Sequence, residues 1–300
     1  MRQMGGKYPL LLILMTVLFG LSFIASKNAL QELGIFQVIF GRYLIALLVL
    51  TLVTWKNREK FYIARKDRGA FLVLTLVEPV GYFIFETLGV QYTTPSNVSL
   101  VIATIPVFTL IFAAALIGEK GGRLSVIGVL LSLAGVYLIV SVQESSELAP
   151  QPLLGNLFTF GAAISAGLYN VLCRRLSRTY SPLTITFYQS IVATVVFLPM
   201  AAVETFLRHS FTLNGFVVGN LLYLGVGSSV GAYFLLNYTL SRLPSYKVAV
   251  FANLVPVVTI LASYAFYGDL LRPMQFAGAA LVITGIYLTN ARRLQRNAAS

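Results

Sequence analysis

Glu78, Tyr82 and Glu86 fall four residues apart along LTLVEPVGYFIFETLGV (residues 74–90), an apolar run with Pro79 beside the first acid. Four residues on an α-helix overshoot one turn by about 40°, so the three side chains share a face. A carboxylate on such a face either holds a cation or exchanges a proton. Arg42 is a matching cation, set in the apolar run QVIFGRYLIALLVL (37–50). At 1.5 Å per residue it lies about 12 Å below the outer end of its run, between Glu86 at about 6 Å and Glu78 at about 18 Å. One reading is an Arg42–Glu ion pair that joins two helices. The other gives Arg42 a ligand carboxylate, and gives Glu78 or Glu86 a ligand amine or a coupling proton.

The chemistry of these residues depends on where composition puts them. Of the 300 residues 57% are hydrophobic and 11% charged, and the mean hydropathy is +0.82. Soluble domains carry roughly 45–50% apolar and about 25% charged residues. A soluble fold could not solvate this much apolar surface, so the chain reads as an integral membrane protein. The net charge of +12 is not a nucleic-acid signature. Basic residues sit in short clusters between apolar runs, without the aromatic-interleaved basic surface that single-strand binders use. Cys173 is the only cysteine, which excludes an intrachain disulfide and a cysteine-rich metal site. The N-terminal MRQMGGKYPLLLILMTVLFG has the profile of a signal peptide, but its apolar part is too long and further spans follow. It reads as a retained first helix, with a cleaved signal as the alternative.

A spanning helix needs about 20 apolar residues. That length predicts ten spans, at roughly 8–27, 34–55, 69–90, 95–117, 124–142, 154–173, 182–203, 216–238, 245–267 and 274–291. With the N-terminus in the cytoplasm, inside segments hold 17 Lys and Arg residues, and outside segments hold Lys27, Arg208 and Arg272. This bias predicts a multi-pass protein of a bacterial inner membrane with both termini cytoplasmic, and the bilayer itself as a partner.

Residues 98–140 and 248–290 align without gaps at an offset of 150, with 11 identities in 43 positions. Pro106 matches Pro256, Thr109 matches Thr259, Gly118-Glu119 matches Gly268-Asp269, and Gly135-x-Tyr137-Leu138 matches Gly285-x-Tyr287-Leu288. A fainter echo pairs Phe23 with Tyr169 and Arg42 with Gln189. The fold class predicted is all-α: two inverted five-helix repeats around a central cavity, because an odd repeat enters the membrane from the opposite side. The division is 1–143 for the first repeat, 144–153 for an extracytoplasmic linker and 154–300 for the second. Pro106 and Pro256 fall halfway along helices four and nine, as static kinks or as a symmetric pair of hinges. Pro79 is a third break. Ten helices as five plus five, the P-V-x-T run in helices four and nine, and the G-E and G-D that follow resemble the drug/metabolite transporter superfamily, EamA type. The resemblance covers nearly the whole chain and implies a helical basket with a central cavity that moves small metabolites such as amino acids. Phe19-Gly20, where Trp-Gly is common, and Gly268-Asp269, in place of Gly-Glu, depart from the family pattern.

Tyr82, Tyr169 and Tyr233 suit an aromatic or amphipathic ligand, or belong to interfacial belts. Asn97, Gln189, Asn237 and Asn253 are polar points in helices four, seven, eight and nine, read as interhelical hydrogen bonds or cavity lining. Lys247 reads as a snorkelling side chain. Glu119 and Asp269 read as caps of helices five and ten. Gly227-Ser228-Ser229-Val230-Gly231 matches G-x-S-x-G, but the nucleophile elbow needs a strand-turn-helix setting. The glycines there, with Gly215 and Gly219, read as close helix packing. The single histidine, His209, sits in a loop, and no P-loop, H-E-x-x-H or EF-hand pattern occurs. The reading is therefore no enzyme, no cofactor and no metal. The protein is expected to be a secondary transporter of a small organic substrate by alternating access, with amino-acid export first and an uptake permease or drug exporter second. A non-transporting receptor or scaffold and an intramembrane hydrolase are the remaining rivals. The candidate substrate or coupling residues are Arg42, Glu78, Tyr82, Glu86, Tyr169, Gln189, Tyr233 and Asn253.

Overall fold

The computed structural model describes residues 7–55, 62–117, 123–142, 144–208, 213–242 and 254–298. Among these residues every regular element is a helix. In chain order the rods are α1 Lys7–Ala29, α2 Ile35–Thr54, α3 Arg65–Tyr92, α4 Pro95–Leu116, α5 Arg123–Ser141, α6 Pro152–Leu176, α7 Pro182–Arg208, α8 Gly215–Arg242, α9 Val255–Tyr267 and α10 Pro273–Ala298. Seven of them (α1 to α4 and α6 to α8) are long and apolar enough to cross a membrane, and Val126–Ser141, Val255–Tyr267 and Pro273–Gly285 are shorter apolar helices. Asn253, Lys247, Glu119 and His209 lie outside the described residues.

Local chemistry sets the helix ends. Proline opens α4, α6, α7 and α10, where its missing N–H has no partner to lose. Thr94, Ser181 and Asn214 accept the backbone N–H groups of Asn97, Thr184 and Val217 at 3.3, 3.1 and 2.8 Å, as N-caps do. Gly268 closes α9 in the left-handed region at φ 66°, which a Cβ would oppose.

The distribution of polarity is that of a bilayer protein. Arg42, Glu78, Glu86, Asn97, Gln189 and Asn237 are buried, whereas Leu10, Leu52, Leu130, Val195, Leu261 and Phe266 face outward. Hydrocarbon accepts the leucines, and the bundle interior must accept the charges. Helix pairs form across the chain: α5 against α10, α2 against α7, α3 and α4 against α6, α1 against α9, α4 against α9, and α1 and α2 against the middle of α8.

Glycine decides the closest crossings. A Cβ at Gly135 would lie 2.5 Å from the Gly278 carbonyl, and one at Gly278 would lie 2.6 Å from the Gly135 carbonyl. Gly285 meets Gly128 and Ser132 in the same way about two turns away. The expectation of close packing at Gly215 and Gly219 is corrected: among the described residues nothing lies within 4 Å of a Cβ at either. Asp269 does not cap α10. Its carboxylate accepts from Ser263 Oγ at 2.9 Å, and the Gln275 side chain accepts the Arg272 N–H at 2.7 Å. Arg272 also pairs with Glu144 at 2.8 Å and holds that carboxyl below its usual range. Both side chains are exposed, so this staple adds little.

Overpacking a tight crossing costs about 1–3 kcal/mol. Gly278→Val is expected to lower the melting temperature of the purified protein, while Gly219→Ala, which adds a methyl to open space inside a helix, does not lower it; thermal unfolding in detergent measures both.

Candidate functional site

Two rods are not regular helices through their middles. In α3 the segment Leu76–Gly81 winds as a wide π-type turn, and Glu78 inside it is extended at φ −150°, ψ 117°. Pro79 gives the reason, because its ring excludes the α region for the residue before it. The Glu78–Pro79 peptide bond is cis. In α8 the segment Tyr223–Ala232 winds in the same wide manner. Such turns project side chains and free backbone groups that a regular helix would hide.

Arg42 of α2 points into the wide turn of α8. Its Nε donates to Ser229 Oγ and its Nη2 to Ser228 Oγ, both at 3.0 Å. The guanidinium carbon stands 4.2 Å from the centre of the Phe83 ring, within cation–π range. Gly225 permits the approach, since a Cβ there would lie 3.0 Å from the Arg42 carbonyl. At 1% exposed, Arg42 is the largest fully buried side chain among the described residues. The anticipated ion pair is not formed. Among the described residues the one ion pair is Arg272–Glu144, and the charge of Arg42 is met by two hydroxyls and a ring.

The acids are buried too. Tyr233 of α8 donates to Glu78 Oε1, while Glu78 Oε2 has no hydrogen-bond partner among the described residues. Gln189 of α7 donates to the Glu78 backbone carbonyl at 3.2 Å, which satisfies a group released by the break. Glu86 accepts from Thr87 at 3.1 Å. Tyr169 of α6 donates to Asn237 at 3.1 Å, and Asn237 donates to Thr186 at 3.2 Å.

These groups border a cavity of about 730 Å³, within the range of small-molecule sites. Its deep end carries Arg42, Glu78, Tyr82, Glu86 and Tyr233 with Phe19, Phe23 and Phe83, and its wide end reaches the exposed Arg174, Arg178, Ser241 and Arg242. Tyr169 lines it, whereas Gln189 stands behind the lining. Pro106 and Pro256 also line it, but neither interrupts a continuous helix as expected. The α4 rod breaks at Ala103–Thr104 and resumes at Ile105, so Pro106 falls in the first turn of the new segment. Pro256 falls likewise in the first turn of α9.

Sequence reasoning missed Phe83, Ser228 and Ser229 as partners of Arg42. Phe83 looked like one more apolar residue, and the serines stood in a weak hydrolase pattern. Here both hydroxyls are committed to a guanidinium.

A family model described as the EamA-like transporter family matches residues 6–141 and again residues 153–291. An uncharacterized transporter of Archaeoglobus fulgidus is 33% identical over 298 residues, covering 97% of this chain and 100% of that one. The uncharacterized transporter YcxC of Bacillus subtilis is 31% identical over 289 residues, covering 93% and 91%. A Salmonella typhimurium protein named as a probable amino-acid metabolite efflux pump is 24% identical over 301 residues, covering 95% of each chain. A solved crystal structure at 18% identity has a TM-score of 0.68 and covers 98% of this chain and 99% of its own. That likeness concerns the fold alone.

A hydrogen bond to a buried charge is worth about 1.5–3 kcal/mol. Ser229→Ala is accordingly expected to lower the melting temperature measurably, with Ser241→Ala at the exposed end as the neutral reference in the same unfolding assay.

Proposed function

The chain belongs to the EamA-like transporter family, and on that premise we propose that it is a ten-span secondary carrier that exports a small zwitterionic metabolite, an amino acid or a close relative, by alternating access. The transporter is not an enzyme. The observation that carries the substrate reading is the deep end of the cavity, where a guanidinium and two carboxylates border one space without pairing to each other. Arg42 takes the substrate carboxylate. Glu78, whose Oε2 lacks a partner among the described residues, takes the amine or a coupling proton, and Glu86 is the second acid that can exchange with it. Phe19, Phe23, Tyr82 and Tyr233 border the apolar side chain, and Tyr169 lines the path toward the wide end. Asn253 belongs to the proposal on sequence grounds.

The inverted repeat, with halves at 1–143 and 154–300, is supported by pairing that survives exchange of the halves. The α1–α8 contact corresponds to α6–α3, and α1–α9 to α6–α4. The α5–α10 and α2–α7 contacts map onto themselves. Pro106, beside the break in α4, and Pro256, in the first turn of α9, are proposed as the bending pair, with the Pro79 break beneath Glu78. The basic segments orient both termini to the cytoplasm of a bacterial inner membrane. In that orientation the wide mouth faces inward, ready to load an export substrate.

Amino-acid transport by the purified protein in proteoliposomes, with and without a pH gradient, tests this reading. Arg42→Gln and Glu78→Gln are each expected to cut the initial rate by about tenfold or more while eluting as the parent does on size exclusion. Parental rates in both variants would sink the proposed site.

A further inference from the structure

Lys27, at the end of α1, counts in the sequence only as one outside charge, yet it is 8% exposed. Its ammonium donates to three backbone carbonyls where α3 ends: Val90 at 2.8 Å, Gln91 at 3.1 Å and Thr93 at 3.1 Å. A helix C-terminus leaves carbonyls unpaired and carries partial negative charge. Lys27 therefore caps α3 from another helix and ties the two together. Around that clamp Ser26 Oγ, Gln91 Oε1, Ser96 Oγ and both polar atoms of Asn156 are buried without hydrogen-bond partners among the described residues. Orphaned polar groups are costly in a permanently dry wall. They are expected in a wall that meets water in another conformation.

The opposite end of the bundle is where the cavity opens, and the repeat says what stands there in place of Lys27. Gly20 of α1 admits Val258 of α9, and Gly167 of α6 admits Phe108 of α4. Positions 108 and 258 are themselves 150 apart, so Gly20-Leu21 corresponds to Gly167-Leu168 at an offset of 147. That register, which the two glycine contacts favour over the Phe23–Tyr169 echo and its offset of 146, sets Lys27 opposite Arg174 rather than Cys173. In α3 and α8, Tyr82-Phe83 corresponds to Tyr233-Phe234 at an offset of 151, which sets Val90 and Gln91 opposite Ser241 and Arg242. Arg174, Ser241 and Arg242 all border the wide mouth. Among the described residues Arg174 makes no hydrogen bond to the end of α8.

We propose that Lys27 and Arg174 are alternating latches of the two gates. With Lys27 on the α3 carbonyls, its end is sealed and the Arg174 end is open. In the opposite state Lys27 releases Val90, Gln91 and Thr93, and Arg174 closes on the carbonyls of Ser241 and Arg242. The proposal rests on the inverted-repeat carrier reading above. It adds which side chains hold each state, and it makes the two cations opponents although their charges are alike.

The test uses the full chain in proteoliposomes with Cys173→Ser and one added cysteine: Ser96→Cys beside the sealed end, or Asn170→Cys in the cavity. The rate of labelling by a water-soluble maleimide reports which end is wet. Lys27→Met is expected to raise Ser96→Cys labelling about tenfold and to lower Asn170→Cys labelling, as the loss of even one charge-assisted hydrogen bond would do. Arg174→Met is expected to shift both rates the other way, and Lys27→Arg to keep the parent ratio. If Lys27→Met raises both rates together, Lys27 is only a helix cap and the latch is overturned. If it fails to insert, Arg174→Met, at an exposed residue, decides by its sign. Should the two rates in the parent never trade against each other under a pH gradient or a mixed amino-acid solution, the carrier reading itself fails. If they trade but neither variant moves the ratio, only the latch does.

Discussion

Ionisable groups inside a bilayer need their partners from the protein, and the rest of this fold follows from how Arg42, Glu78 and Glu86 are given them. A charge near the centre of a membrane costs about 2.5–3.5 kcal/mol even on insertion scales. The chain meets that cost by breaking helices. The wide turn of α8 brings Ser228 and Ser229 to the Arg42 guanidinium, and the Pro79 break in α3 lets the Glu78 carboxyl reach Tyr233 while Gln189 takes its carbonyl. Regular helices would have kept those carbonyls within their own ladders and turned those hydroxyls elsewhere.

The two halves share this work unequally. Under the proposed repeat, Arg42 of α2 corresponds to Gln189 of α7, Glu78 to Ser229, and Glu86 to Asn237. Each charge lies in the first half and each neutral counterpart in the second. The contacts obey the same exchange: α2 bonds the wide turn of α8, and α7 bonds the wide turn of α3. A geometry common to both halves thus carries charge in one and its hydrogen-bonding support in the other. That division leaves the deep end of the cavity with two acids and one base.

Much of this was legible in the residues. Hydropathy marked the rods because bilayer thickness fixes their length, and the acids at 78 and 86 declared an interior face because lipid would reject them. Pro79 announced a break that the backbone of Glu78 confirms. The glycine positions were legible only in part. Gly135 and Gly278 stand in the repeat and do meet, but Gly215 and Gly219, with the same spacing as a packing motif, touch nothing within 4 Å among the described residues. A glycine states what a helix permits, and the partner helix decides whether the permission is used.

By itself the sequence determined the membrane class, the family and the presence of charge at depth, since these follow from composition, run length and local pattern. Only the tertiary structure decided who partners whom. Arg42 was matched on paper to a carboxylate by charge and depth, yet it meets two serines and a phenylalanine, because α2 lies against α8 and the wide turn there offers hydroxyls at hydrogen-bonding distance. Lys27 was counted as a loop charge, yet it reaches three carbonyls, because α1 ends beside the end of α3. One-dimensional spacing places a side chain on its own helix. The chemistry of a buried charge is set by whichever helix packs against it.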